Sequence, residues 1–426
     1  MTTKQYKLSE VANNEMLDFA QYTVASRAIP NMIDGMKPVQ RFYLYSSLQT
    51  SRRDFKKVSA VSGVVSDYGY NHGEVSAAGA GQLMAATWRN NICLVEGRGS
   101  FGTRQVQAAG AARYVYTKVS PNFDMYIKDI ALSPVHDDPE HEPPAYYLPV
   151  LPLVLLNGAS GIATGFATNI IPRSEQTVRK AIREILAKGK ITTQLQVQFP
   201  DFRGSVVYDV ASNRYICKGI WRKVGGTRLL IEEIPYGFDR ENYIKILDDL
   251  EDAGEIVGYD DQTDSRGFRF DVKLKQQTSA KWTDAEIERK FKLAKTHAEN
   301  LNVIGPASDL REYDDPNQLI IDFVDFRLGV LQQRIVLAIA DQSELLRWLK
   351  VKIEFIEAVL DDNIVFKNQT RKQAGEQILT STKALDTDVS RLLSLNMLSL
   401  TKEQVTSLKK EIKDAEAALR YWKKTT

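Results

Sequence analysis

Apolar residues in this chain change their spacing along its length, and each change predicts a different kind of element. Between residues 36 and 90 they recur at helical intervals in short stretches separated by glycines. "PVQRFYLYSSLQ" opens on Pro38, whose fixed φ and missing N–H suit a first helical turn. "GEVSAAGAGQLMAATWRN" predicts a second helix, rich in small residues, and "NICLVE" a strand after it. From about 146 to 312 the pattern is mixed: "TRLLIEEIP" and "RGFRFDVKLK" alternate like strands around the helical "RENYIKILDDLEDAG". Near 317 the period becomes helical again, with Val324, Leu328, Leu331, Ile335, Leu345, Leu349, Ile353, Ile356 and Leu360 three and four apart, interrupted at places such as Gln342. Roughly 45 residues at 1.5 Å each predict a rod about 65 Å long. Val405, Leu408, Ile412, Ala415, Leu419 and Trp422 form a second stripe of the kind that makes a coiled-coil seam. Two such helices, about 40 residues apart, close best as an antiparallel arm with a small domain at its tip.

Composition changes this picture little. At 426 residues and 26% charged, the chain is long enough for two or three globular domains. Cys93 and Cys217 are its only cysteines, too few for a disulfide framework or a zinc site, which predicts a reducing compartment. The run "LPVLPLVLL" is too short to span a bilayer, and no signal peptide is visible, so a cytoplasmic protein is expected. The net charge of +2 conceals an asymmetry: residues 1 to 130 carry 15 Lys and Arg against 10 Asp and Glu. A basic front half suits a polyanion. The compact helices followed by a strand resemble a winged-helix variant of helix-turn-helix, which lays one helix against a DNA groove.

Candidate chemistry lies in several places. "AAGAARYVYTKVS" reads either as a strand with Tyr114 and Tyr116 on one face, or as a loop aiming one phenol at phosphate. "EGRGSFG" contains a G-x-G-x-x-G, but helices precede its strand and no parallel-sheet series follows, so positive φ at Gly97, Gly99 or Gly102 explains it better than a dinucleotide site. No Walker-type motif is present. Glu232 and Glu233, the Asp260, Asp261 and Asp264 group, and Asp386 with Asp388 read as solvated surface carboxylates rather than metal ligands. His136 and His141 lie in "PVHDDPEHEPP", an expected exposed connection, whereas His72 stands between the basic helices and the tyrosine segment. "LLNGASGIATGFATN" is a glycine-rich loop carrying Ile162, either an ordinary connection or an apolar wedge for a base step.

Together, "SRAIPNMIDGMKPVQR", "YNHGE", "GRGSFG", "AARYVYTK", "LLNGASGIATGFATNIIP" and "LIEEIPYGFDRENYIKILDDLEDAGEI" occur in the order and spacing of the type IIA DNA topoisomerases. From about residue 20 onward the chain resembles their DNA breakage-reunion subunit, called gyrase A in bacteria, and in details such as "NMIDG" and "RYVYT" it is closer to eukaryotic and phage members. The resemblance implies an α+β multidomain fold: an N-terminal arm over 1–27, a winged-helix cleavage domain over 28–146, an α/β tower domain over 147–312, and a coiled coil over 313–426 with a helical exit-gate dimer domain near 362–400. It makes Tyr114 the nucleophile, Arg113 and Arg41 ligands of the scissile phosphate, His72 and Lys37 neighbours of the break, and Ile162 the wedge; Tyr116 is packing.

Ile33 and Asn71 depart from the family pattern, Ile33 replacing a bacterial arginine and Asn71 the first of two eukaryotic histidines. The resemblance further implies a homodimer on double-stranded DNA, with Mg2+ and ATP both bound by a separate ATPase/Toprim subunit, relaxation and decatenation as the activity, and the host-cell cytoplasm as its place if phage-encoded. Quinolones, held in bacterial members by a serine and an acidic residue, meet Val75 and Gly79 here. The competing classes are a non-cleaving architectural DNA-binding dimer and a dinucleotide-dependent enzyme using "GRGSFG".

Overall fold

A computed structural model describes residues 16, 22–396 and 400–425. Most of the expected arm over 1–27 therefore lies outside the described residues. The chain divides into two units, Met1–Asp325 and Phe326–Thr426.

The first unit begins with helices held by local chemistry. In α1 (Pro38–Thr50) the proline starts the helix and Gln40 Oε1 accepts the Lys37 N–H at 2.8 Å. After strand β1 (Lys56–Lys57) come α2 (Val58–Ser62) and α3 (Glu74–Ala85). Helix α3 packs on α1 through Gly81, where an added Cβ would lie 2.1 Å from the ring of the fully buried Tyr43. The strand expected at "NICLVE" starts later, as β2 (Val95–Arg98), because residues 91 to 94 hold the chain through side-chain bonds instead. Asn157 exchanges both its amide bonds with the backbone of Ile92, each 2.8 Å. β2 pairs antiparallel with β3 (Tyr116–Val119), which pairs on its other side with β1.

The segment read as a glycine-rich loop is instead a hairpin. After α4 (Pro121–Tyr126) and the buried short helix α5 (Leu153–Asn157), strands β4 (Ala159–Ile162) and β5 (Ala167–Ile170) pair in register Ala159↔Ile170 and Ile162↔Ala167. Its period-two exposure was hidden by small residues that carry no hydrophobic signal.

Beyond α6 (Glu175–Lys188), β6 (Ser205–Asp209) and β7 (Arg214–Lys218) join a later strand in a sheet. Strands β8 (Ile220–Val224), β9 (Arg228–Glu233), β10 (Ile256–Asp261) and β11 (Phe270–Leu274) form a second, antiparallel one ordered β10-β11-β9-β8. Helix α7 (Arg240–Asp252), capped by Asp239, covers its core with Tyr243, Ile246 and Leu247, and α8 (Asp284–Lys290) adds Ile287. β12 (Ala294–His297) completes the first sheet, and β13 (Leu301–Ile304) pairs with β14 (Leu310–Tyr313).

The carboxylate reading needs correction at two positions. Glu233 is almost fully buried and bonds Arg104 at 2.7 Å and Arg203 at 3.1 Å. Asp388 is likewise buried, against Arg347 at 2.7 Å. Each was misread because its partner arginine is distant in sequence. The histidine connection is also less open than expected: His136 and His141 are half-buried, with His141 packed edge-on against Phe42 at 5.1 Å.

Helix α9 (Pro316–Leu360) spans 45 residues, of which 326–360 belong to the second unit, followed there by α10 (Arg371–Ser381), α11 (Asp386–Leu393) and α12 (Lys402–Lys424). Lys350 meets Glu416 at 3.6 Å and Glu357 meets Lys409 at 3.0 Å, so α12 runs antiparallel to α9. Leu349, Ile353 and Ile356 share a core with Val405, Leu408 and Ala415, as the stripes predict, whereas Leu328, Leu345 and Leu360 are exposed. A second stripe, Trp348, Val351 and Phe355, is also buried, with Arg391 stacked over Trp348 and Phe366 beside Phe355.

Candidate functional site

Tyr114 does not lie in a strand. Its N–H donates to the Ala111 carbonyl at 2.8 Å, closing a turn just ahead of β3, and its side chain is 68% exposed. Tyr116, inside β3, is half-buried and pairs with Lys57 and Arg98. Three anchors fix the turn. The first two N–H groups of α2, which have no partner within a helix, donate to it: Val58 to the Val115 carbonyl at 3.0 Å and Ser59 to the Ala112 carbonyl at 3.1 Å. Gln82 of α3 donates to the Gly110 carbonyl at 2.7 Å. The next residue, Val115, is buried against Gly99 and Gly110, and the Arg113 guanidinium stands 4.7 Å from the Tyr114 ring centroid.

The start of the same loop supplies the tight turns expected of "GRGSFG", with Gly99 at φ +108° and Gly102 at φ +81°, while Gly97 has no positive φ. Its middle is pinned by Arg104. That buried guanidinium bonds Glu233 and the Ile234 carbonyl and is enclosed by the rings of Phe202, Tyr236 and Phe268 at 5.2 to 5.4 Å. Sequence reasoning missed Arg104, since no local pattern distinguishes it.

Arg41 is placed as a strut. It is 7% exposed, and its Nε lies 2.7 Å from Asp34 Oδ2 while Nη2 donates to the Met36 carbonyl at 2.8 Å. Asp34 also accepts the backbone N–H groups of Met36 and Tyr147, so the "IDGMKP" turn is wound around one buried carboxylate. Ile33 is fully buried in the core, which accounts for an aliphatic residue there.

His72 is exposed, and its Nε2 lies 2.5 Å from the hydroxyl of Tyr22; Tyr70 stands edge-on to its ring at 5.5 Å. Tyr22 was not expected from the sequence.

Lys37 and the hairpin come together. Lys37 Nζ donates to the Ser160 carbonyl at 2.8 Å, and Ile162 two residues on is 86% exposed. Burial lowers the Lys37 ammonium from its usual value, and the neighbouring Arg89 lowers it further. Arg89, unnoticed in the sequence, reaches Ser160 Oγ at 3.4 Å. Gly161 is required here, because a Cβ would sit 2.0 Å from the Ala28 carbonyl oxygen.

Basic side chains gather on the three-stranded sheet that follows Tyr114. Phe55 lies between the Arg98 guanidinium at 4.1 Å and the Lys118 ammonium at 4.7 Å, with exposed Lys56 and Lys57 alongside. Among the described residues no three histidines, cysteines or carboxylates gather as metal ligands, and no helix is long and apolar enough to cross a membrane.

The family model for the A subunit of DNA gyrase/topoisomerase IV matches residues 27–426. A DNA topoisomerase medium subunit of Enterobacteria phage T4 is 42% identical over 98% of this chain and 95% of its own length. DNA topoisomerase 2 of Arabidopsis thaliana is 28% identical over 87% of this chain, which spans 26% of that protein. Among solved structures, the DNA-binding, cleavage and re-ligation domain of Plasmodium falciparum topoisomerase II superposes with a TM-score of 0.88 at 26% identity, over 96% of this chain and 61% of that one.

Proposed function

The chain belongs to the DNA gyrase/topoisomerase IV A-subunit family, a family of type II topoisomerase cleavage and religation subunits, and we propose that Tyr114 is the nucleophile with which it opens DNA. The observation that carries this is an exposed phenol on a turn tied down at three points, with an arginine over its ring. Such a turn presents the attacking oxygen without having to be ordered first. The Tyr114 oxygen attacks a backbone phosphorus as its own proton is given up, the P–O3′ bond breaks, and the departing sugar oxygen leaves as a 3′-hydroxyl. One phosphodiester is exchanged for another, so resealing is the same step in reverse. Arg113 offers a planar fork of donors to the phosphate, and His72, oriented by Tyr22, borders the break. Arg41 acts through the Asp34 turn that carries Lys37, and Ile162 is the wedge that kinks the duplex.

In this reading residues 28–146 are a winged-helix cleavage domain, 147–312 a tower, and 313–426 a coiled coil with a dimer gate. Cutting both strands requires two copies of Tyr114, hence a two-fold homodimer. Magnesium, when bound, stabilises charge on phosphate and leaving oxygen. The described residues of this chain do not fit it: no three histidines, cysteines or carboxylates gather among them, and Glu233, Asp388 and Asp34 are each committed to an arginine. The metal and ATP are assigned to a separate ATPase/Toprim subunit, and the complex to relaxation and decatenation.

The test is trapping with denaturant in the presence of magnesium and the partner subunit. Wild type is expected to leave protein on 5′ DNA ends, Tyr114→Phe none at nearly unchanged DNA affinity, and Tyr116→Phe close to wild-type amounts. Covalent product from the Tyr114 variant would overturn the assignment.

A further inference from the structure

Helix α1 begins at Pro38 and α3 ends at Ala85, and these two ends bring one cation each to the same point on the β4–β5 hairpin. Lys37 approaches Ser160 through its carbonyl oxygen at 2.8 Å and Arg89 through its hydroxyl at 3.4 Å. Among the described residues neither cation has a carboxylate within ion-pair distance, whereas Arg41 and Arg104 each have one. Both are half-buried, so their mutual repulsion is screened less than it would be in open water. Two like charges held together without an acid are an arrangement that an anion completes.

The backbone around them is built for close approach rather than for slack. Gly161 lies against the Ala28 carbonyl, where no Cβ fits, so the position of the hairpin relative to the Lys37 turn is set by contact. That turn is in turn clamped by Arg41 on Asp34. One residue beyond Gly161, Ile162 projects at the tip. Spacing between the two cations and the apolar tip is therefore rigid.

We propose that Lys37 and Arg89, converging on Ser160, form a two-cation clamp for a single DNA phosphate, and that this phosphate sets the register at which the Ile162 tip meets a base step. The inference rests on the reading of this chain as a DNA-cleaving subunit. The guanidinium supplies directed N–H donors and the ammonium a compact charge. Ser160 Oγ is positioned to add a neutral hydrogen bond.

The salt dependence of binding separates this clamp from general basicity, because each phosphate neutralised contributes about 0.9 to the slope of log affinity against log salt. A labelled linear duplex is titrated with the complex of full-length chain and partner subunit between about 50 and about 200 mM salt. The double variant Lys37→Gln with Arg89→Gln is expected to lower the slope by about 0.9, a roughly 3.5-fold smaller loss of affinity over that range, and each single variant by less, because the remaining cation still neutralises the shared phosphate. Arg89→Lys is expected to keep the slope close to wild type, since it retains both charges. An unchanged slope in the double variant overturns the clamp, and so does a double variant that loses about twice as much, which would mean two separate phosphates. Thermal melts of each variant guard against misfolding. Ile162→Ala, read out by a fluorescence distance across the bound duplex, is expected to reduce bending with the slope unchanged. A failure there, or of Tyr114 trapping, counts against the wedge or the cleavage reading and leaves the slope test standing.

Discussion

Tyr114 and Tyr116 carry the same side chain two residues apart, and their backbone partners make them different. Tyr116 is committed to a ladder with Lys57 and Arg98, whereas Tyr114 sits in a turn whose carbonyls are taken by α2 and α3. Burial separates the histidines in a comparable way. Burial, His141 and Arg41 hold the His136 imidazole below its ordinary 6.5, and burial together with Lys295 lowers His297, partly opposed by the Tyr236 carbonyl. A ring kept neutral in the fold but free to protonate once unfolded makes stability fall as pH drops below 6.5 toward the folded value. Melting at about pH 7.5 and about pH 5.5 checks this: His136→Gln combined with His297→Gln should lose less on acidification than wild type. An equal loss would refute it.

At the scale of elements, α3 shows how one glycine governs a helix pair. Its Gly81 lets the helix backbone rest on the Tyr43 ring, whose hydroxyl bonds Thr117 of β3 at 2.6 Å. Gly81→Ala should cost about 1 to 3 kcal/mol through overpacking, since Tyr43 is enclosed and cannot swing away; a urea denaturation series measures it, and an unchanged midpoint would contradict the packing. The other face of α3 bears on drugs. Val75 is 81% exposed, and a Cβ at Gly79 meets nothing within 4 Å, so both positions are open to polar side chains. Neither present side chain can hold the water network of a quinolone, which leaves that water unpaired at roughly 1 to 3 kcal/mol. Quinolones are expected to trap cleavage weakly, and Val75→Ser with Gly79→Asp to raise sensitivity about tenfold, equivalent to roughly 1.4 kcal/mol. Cleavage titrations decide: a double variant no more sensitive than wild type sinks the idea.

For the whole molecule, the proposed two-fold assembly makes a prediction that a monomer does not. Each Tyr114 serves one strand, so a mixed dimer with a single Tyr114→Phe protomer should nick circular DNA, while the wild-type dimer linearises it. Linear product from purified mixed dimers would exclude one tyrosine per strand. The tethering of the cleavage loop is molecular in reach as well: Arg104, beside the glycine turns, is bonded to Glu233 at the end of β9, 129 residues away.

What the chain alone determined were features with a local cause. The long α9, the capped α7, the proline start of α1 and the positive φ of Gly99 and Gly102 follow from periodicity and from residues that restrict or free the backbone. The order of the motifs likewise made Tyr114, Arg113, Lys37 and Ile162 the candidates that are proposed to act on DNA. Tertiary structure alone decided what depends on partners far away in sequence: that Glu233 and Asp388 are buried because arginines meet them, that Arg41 is turned inward on Asp34, and that Arg89 and Tyr22 stand beside Lys37 and His72. A side chain's charge and size are written in the sequence, but its solvent exposure and its neighbours are set only when segments a hundred residues apart pack together. Ile162 shows both limits, since its apolar character among small residues was legible and its place at the tip of a hairpin was not.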